Sequence, residues 1–413
     1  MTEKRQKTIL SSQINRHLEN HQILCDSQHG FRQRRLCETQ LVSTITDFIN
    51  TIEGKGQCDV ILLDFSKAFD KVSHELLMQK LSRYGINAQV HQWISSFLAN
   101  RTQQVVVDGV SSEKGAVTSG VPQGSVLGPL LFLLFINDLP TYTKHSHIRL
   151  FADDCMLYRE INSDEDRHKL QTDLDGLLKW EQDWKMQFHP EKCVQLSITL
   201  KKKPTETSYY MRNHQLEKTN SAKYLGITIS SNLSWTPHID AITSRAYSKL
   251  AFLQRNISHC PRQTKVLAYQ SLIRPKLEYS VSVWDPHTKK DTARVEGVQR
   301  KAARFVTGDY GRESSVTTML DELEWPPLQQ RRRELKLTLF HKAYNNDVDI
   351  NIPLAINTRS ASHKFLIPSS RTNHHLYSFY PSTVRMWNLL PGEAVQSDTT
   401  DQFKTSLKSI QLK

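Results

Sequence analysis

Residues 147–158 read His-Ile-Arg-Leu-Phe-Ala-Asp-Asp-Cys-Met-Leu-Tyr, and the centre of that stretch, Phe151-Ala152-Asp153-Asp154, decides how the chain is to be read. Two short apolar segments, His147–Phe151 and Cys155–Tyr158, flank it, so the paired aspartates fall at the tip of an expected β-hairpin. Two unit charges ~4 Å apart repel by roughly 4 kcal/mol at an effective dielectric of 20. A divalent cation turns that repulsion into binding energy. Aspartate is also an ordinary turn residue, so the pair alone would decide nothing.

A third aspartate lies upstream, in Val60–Asp70, VILLDFSKAFD. The continuous apolar run inside Cys58–Phe65 predicts a buried central strand. Asp64 ends it, where ligands meet α/β sheets. On a strand beside the hairpin, Asp64 would complete a nest of three carboxylates. Hard oxygen ligands in that number suit Mg²⁺, which keeps water and phosphate oxygens in its remaining positions. Two such ions can activate a 3′-hydroxyl and stabilise an in-line displacement that releases pyrophosphate.

Outward from these motifs, the chain to about Asn50 reads as helix, turn, helix, interrupted by His29-Gly30-Phe31-Arg32 and Arg34-Arg35. Ser73 is an expected N-cap for a helix carrying Leu76, Leu77 and Leu81, and Gly85 its stop. Asn87 opens a second helix with Val90, Trp93, Ile94, Phe97 and Leu98 on one face. Gln103–Val107 leads into a hairpin at Asp108-Gly109. These elements make an α+β sheet domain backed by helices. From about Ser234 the pattern is mainly helical, as in His238–Leu253 and Arg262–Ile273. Basic residues there (Arg300, Lys301, Arg304, Arg331-Arg332-Arg333) are expected to meet a phosphate backbone.

With 413 residues the chain has room for two or three domains. A net charge of +12 favours an anionic partner, nucleic acid before an acidic membrane surface. The six cysteines lack C-x-x-C spacing, which argues against a zinc knuckle or a disulfide scaffold and for a reducing, intracellular setting. MTEKRQKTIL has no secretory core, and the longest apolar run, Leu130–Ile136, is far short of the ~20 residues of a membrane span.

Three motifs in order, LLDFSKAFD around Asp64, GVPQGSVLG over Gly120–Gly128 and FADD over Phe151–Asp154, resemble reverse transcriptases of non-LTR retrotransposons, the jockey-like class most nearly. The resemblance runs from about Gln28 to Ser230 and more loosely through Tyr269–Pro286 and Arg294–Thr307. It implies a right-hand polymerase, with fingers and palm in residues 1–230 and a helical thumb and C-terminal region in 231–413. It also implies an RNA-directed DNA polymerase using two Mg²⁺ ions (Mn²⁺ as a substitute), an RNA template, a DNA primer or target, and dNTPs.

Carried across residue by residue, Asp64 and Asp153 are the principal metal ligands, Asp154 the accessory carboxylate, and Phe65 contributes its backbone carbonyl. Phe69, with Ala68 beside it, stands at the family's sugar gate, where a bulky ring excludes a 2′-hydroxyl. Gln123 and Gly124 lie against the incoming nucleotide and the templating pair, and Pro129 pre-sets the helix that follows. Arg32 or Arg35 would fork onto triphosphate oxygens. Lys192, in His-Pro-Glu-Lys, would protonate the departing pyrophosphate. Lys223–Ile229, KYLGITI, resembles the hairpin that holds the primer terminus.

The chain departs from the family by starting close to His29-Gly30-Phe31, without the further fingers sequence or the endonuclease expected before it. Another chain or a missing segment would then supply nicking. The alternative is a polymerase-fold remnant that holds RNA or DNA without turnover. Synthesis in the cytoplasm and copying in the nucleus follow from the substrate.

Overall fold

In the computed structural model, which describes residues 3–353 and 363–410, the apolar run after Gly56 forms β1 (Gln57–Leu63). The hairpin around the aspartates forms from β2 (His147–Phe151) and β3 (Asp154–Glu160). With β4 (Val194–Thr199) and β5 (Glu217–Lys218) they make one sheet in the order β5-β4-β1-β3-β2. β1 and β3 pair antiparallel, with Leu63 opposite Cys155, and β2 and β3 pair antiparallel, with Phe151 opposite Asp154. β1 is buried along almost its whole length, as a continuous apolar run requires. Its one charged residue, Asp59, is fully buried and accepts hydrogen bonds from Tyr209 Oη at 2.8 Å and Gln57 Nε2 at 3.0 Å.

Helices cover the sheet. Ser73 caps the helix His74–Arg83 by accepting from Leu76 N, and Gly85 follows it at φ +69°. Asn87 caps Ala88–Leu98, whose Ile94 and Leu98 are buried and whose Val90, Trp93 and Phe97 pack against the same core. Gly128–Ile136 is a helix of apolar residues buried at every position but Pro129. A core helix is apolar all round rather than on one stripe. The Asp108-Gly109 turn has both residues at positive φ (49° and 81°), the two-residue turn that joins Val106–Val107 to Val110–Ser111.

The chain divides into two compact units, one of residues 1–36, 56–197 and 201–220, the other of 37–55, 198–200 and 221–413. The helix Cys37–Glu53 groups with the second unit, because its face of Leu41, Ile45, Phe48 and Ile49 is buried and it contacts Val281–Trp284 and Asn373–Leu376.

The second unit is helical beyond its hairpin Ser221–Tyr224/Ile227–Ser230, with long helices at Thr236–Ile257, Lys289–Thr307 and Leu328–Tyr344. Its basic run does not reach outward as the sequence suggests. Arg332 is fully buried, with Nε 2.8 Å from Asp285 Oδ1, Lys336 Nζ lies 2.6 Å from Asp285 Oδ2, and Arg331 pairs with Glu278. Arg304 is spent on the carbonyls of Asp309, Gly311 and Ser314. Arg300 and Lys301 remain exposed.

His238 is buried in this unit, with Nδ1 accepting from Thr228 N at 3.2 Å and its ring edge-on to Trp284. Burial, with Arg245 nearby, pushes its pKa down to about 4 from 6.5. The folded state thus binds this proton less readily than the unfolded chain, so its stabilising contribution is complete above pH 6.5 and is lost as pH falls through 4. A shift of that size corresponds to roughly 3 kcal/mol. Urea titrations at pH 7 and pH 4 should show the second unit's stability falling less in His238→Gln, which cannot titrate, than in the unsubstituted chain.

Candidate active site

Asp64 follows β1, one residue beyond the Leu63–Cys155 pair, so the continued antiparallel register sets it level with Asp154. Asp153 is the second residue of the two-residue turn between β2 and β3. All three carboxylates therefore occupy one end of the sheet, Asp64 half-buried and the other two exposed. Among the described residues no group of three or more His, Cys, Asp or Glu closes into a ready metal cage. The donor chemistry still fits Mg²⁺, which is commonly held by one or two carboxylates together with substrate phosphates and waters.

Asp64 is fixed from below by residues 187–193. His189 N donates to Asp64 O at 2.8 Å, Ser66 N to Gln187 O at 2.7 Å, and Asp64 N to Cys193 Sγ at 3.4 Å. The ring of Phe65 stacks on Phe188 at 4.4 Å. Lys192, in the short helix Pro190–Lys192, brings Nζ to 3.6 Å from Asp64 Oδ2. Lys192, more than a hundred residues away in sequence, thus reaches Asp64. Burial pushes the Cys193 thiol up to about 11, so it stays neutral beneath Asp64.

The hairpin turn is held from its other side. Ala152 is buried and left-handed at φ +53°, a conformation in which a side chain meets its own backbone. Gln28 Oε1 accepts from Ala152 N at 2.9 Å and from Gly30 N at 2.7 Å, while Nε2 donates to Ala152 O at 3.3 Å. The segment itself extends the sheet beside β2, with His29 N bonded to Leu150 O and Leu150 N to Ser27 O, both at 2.8 Å. Gly30 must be glycine, because a Cβ there would fall on the backbone nitrogen of Ala152. Sequence reasoning singled out His29-Gly30-Phe31 but missed Gln28, whose partners are over a hundred residues away.

The loop after Asp64 is stitched to the glycine-rich segment. Val121 N bonds Phe69 O and Gly120 N bonds Val72 O, each at 2.8 Å, and Gln123 Nε2 donates to Asp70 Oδ1 at 3.2 Å. Gly120 sits at φ +86°, and a Cβ would lie 2.7 Å from Asp70 O. Phe69 is half-buried and stacks on Phe132 at 4.4 Å, whereas Gln123 and Gly124 are exposed. Ala68 is buried, so its side chain packs into the core and only its backbone can approach a ligand.

The arginines sit differently from their expected role. Arg32 donates to Cys25 O at 2.8 Å and pairs with Glu19 at 3.4 Å, its side chain 8% exposed. Arg35 donates to the carbonyls of Asp26 and Gln28 at 2.6 and 3.0 Å and pairs with the Asp26 carboxylate. Both guanidinium groups brace the loop that carries Gln28 rather than reaching for a triphosphate. The expected hairpin at Lys223–Ile229 forms in the second unit, turning at Leu225 and Gly226 with φ 43° and 82°.

Comparison with known proteins agrees with these motifs. Residues 4–229, more than half of the chain, match the family described as reverse transcriptase (RNA-dependent DNA polymerase). The probable RNA-directed DNA polymerase from transposon BS of Drosophila melanogaster is 29% identical over 311 residues, 72% of this chain and 34% of the relative. The RNA-directed DNA polymerase from mobile element jockey is 30% identical in Drosophila melanogaster, over 72% of this chain and 34% of the relative. Its Drosophila funebris counterpart is 26% identical over 86% of this chain and 39% of the relative. The chain thus spans about a third of the length of these curated relatives. A Candida tropicalis telomerase structure with a fragment of telomeric RNA aligns over 97% of this chain and 56% of its own, at a TM-score of 0.45 and 10% identity. No described helix is long and apolar enough to cross a membrane. By its ordered motifs, its α+β sheet and its family match over residues 4–229, this chain belongs to the reverse transcriptase (RNA-dependent DNA polymerase) family.

Proposed function

We propose that this chain extends a primer 3′-end with dNTPs on an RNA template, as an RNA-directed DNA polymerase. The observation that carries the reading is the register that sets Asp64 level with the Asp153-Asp154 turn, with Lys192 Nζ at 3.6 Å from Asp64. In the reaction the 3′-hydroxyl gives up its proton to solvent as its oxygen bonds to the α-phosphorus, the bond from that phosphorus to the bridging oxygen breaks, and pyrophosphate leaves. Two Mg²⁺ ions, when bound, would supply charge neutralisation for the attacking and leaving oxygens. Asp64 and Asp153 would hold them, with Asp154 as accessory and the Phe65 carbonyl alongside. Lys192 would hold the proton that passes to the pyrophosphate.

The exposed Gln123 and Gly124 suit a surface against the nascent base pair. We assign fingers and palm to residues 1–230 and the thumb to the helical region beyond, with the hairpin at Lys223–Ile229 steadying the primer terminus. The net charge of +12 supports binding of template and primer backbone. Copying in the nucleus after synthesis in the cytoplasm accords with these substrates.

Purified chain given an RNA template, a DNA primer, dNTPs and Mg²⁺ should extend the primer. Salt-dependent RNA binding without extension, at high dNTP and Mg²⁺, would overturn the reading. Phe69, stacked on Phe132, stands as the barrier to a ribose 2′-hydroxyl. Phe69→Val should therefore raise rNTP incorporation relative to dNTP on the order of tenfold, the scale on which one filled or emptied contact discriminates. Competition between the two nucleotide types in primer extension measures it.

A further inference from the structure

We infer that Gln28 is a positioning residue for the catalytic turn, acting on Asp153 through Ala152; this rests on the reading of that turn as a metal-binding site. In a two-residue turn, the backbone of the first residue sets the direction in which the second projects. Ala152 is that first residue, and its left-handed backbone at φ +53° is not one that alanine chooses unaided. Something must hold it there.

Gln28 does so from both sides of the residue. Its Oε1 accepts from Ala152 N at 2.9 Å and its Nε2 donates to Ala152 O at 3.3 Å, so one planar amide grips both the N–H and the C=O of Ala152. The same Oε1 accepts from Gly30 N at 2.7 Å, which fixes the orientation of the amide. Gln28 is 1% exposed, so water cannot substitute for either contact. The clamp is also anchored. Gln28 bridges Leu150 in parallel, and Arg35 Nη1 donates to Gln28 O at 3.0 Å. Only an amide of this length can both accept and donate here. Glutamate can accept but not donate, methionine can do neither, and asparagine is one methylene short.

Mn²⁺ titration followed by electron paramagnetic resonance, with melting temperature and steady-state extension on the same samples, tests the role. Gln28→Met should weaken Mn²⁺ binding on the order of tenfold, as loss of an outer partner of a metal site does. It should lower kcat by a similar factor, leave KM for dNTP unchanged, and speed hydrogen exchange at the Ala152 amide. Gln28→Glu keeps the accepted bonds and should fall between Met and the unsubstituted chain; it carries the test should the Met variant not fold. Unchanged Mn²⁺ affinity and kcat in Gln28→Met, or Glu no better than Met, would overturn the positioning role. Asp153→Ala separates the two ideas. If it too binds Mn²⁺ like the unsubstituted chain, the metal reading of the turn fails; if it alone loses Mn²⁺, only the role of Gln28 fails.

Discussion

Asp153→Ala should lower dNTP incorporation on the order of 1,000-fold while leaving the chain folded. The loss follows from removing fixed charge where the transition state concentrates it, which costs enzymes about that factor even for a single neutral donor. Retention of the fold follows from position. Asp153 is exposed at the tip of a turn, and the backbone there is held by Gln28 and by the Phe151–Asp154 pair rather than by the aspartate side chain. Surface substitutions of this kind usually move stability by less than about 0.5 kcal/mol. Asp64→Ala should be as severe and would also leave Lys192 without its ion-pair partner. Single-turnover primer extension, with circular dichroism on the same preparations, measures both. Extension by Asp153→Ala within tenfold of the unsubstituted rate would remove the carboxylate from the mechanism.

The second large effect belongs to the helical unit and concerns stability. Asp285→Ala should destabilise that unit by about 3 kcal/mol, because it strands two cations in a site that water barely reaches. Arg332 is 0% exposed on its side chain and Lys336 5%, against 16% for Asp285 between them. Burial alone would raise the Asp285 carboxyl, but Lys336 and Arg332 hold it below the usual carboxylate range. Its contribution is therefore present above the ordinary aspartate pKa and is lost as pH falls through the depressed native value. Glu296, 3.8 Å from Arg332 Nη1, offsets part of the loss and keeps the effect at the low end for a broken buried pair. Urea unfolding at pH 7 reads it directly. Arg300→Ala, an exposed change in the same unit, should move the midpoint hardly at all.

What the sequence announces is local. Ser73 and Asn87 cap their helices, Asp108-Gly109 turns its hairpin, and the apolar run from Leu130 becomes a buried helix, each because its signal spans only a few residues. The aspartates are legible for the same reason, since an acidic pair between apolar strands is a contradiction visible in a dozen residues. Their setting is not. Gln28 looks like any polar residue near a turn, and its importance lies in Ala152, which no short window contains. Cys193 beneath Asp64 is equally silent.

Charge misleads more than pattern does. Arg331-Arg332-Arg333 reads as a phosphate-binding run, yet the acids that engage Arg331 and Arg332 (Glu278, Asp285 and Glu296) lie well upstream. Lys80, which the sequence does not single out, stands between Leu77 and Leu81 on the buried face of its helix. There its ammonium meets Asp138 at 2.5 Å and the Trp184 ring at 3.5 Å, and burial pulls its pKa down to about 8. The partners of Arg32 and Arg35, Glu19 and Asp26, are no more visible in a short window.

The buried thiols have a practical corollary. Cys155 opposes Leu63 in the sheet and Cys193 underlies Asp64, both closed to solvent and both held protonated by their surroundings. An alkylating reagent requires an accessible thiolate, so in the native protein these two sulfurs are masked. Every event that bares them opens the sheet beneath Asp64, and the chain therefore carries, without any engineered label, its own clock for the breathing of that end of the sheet.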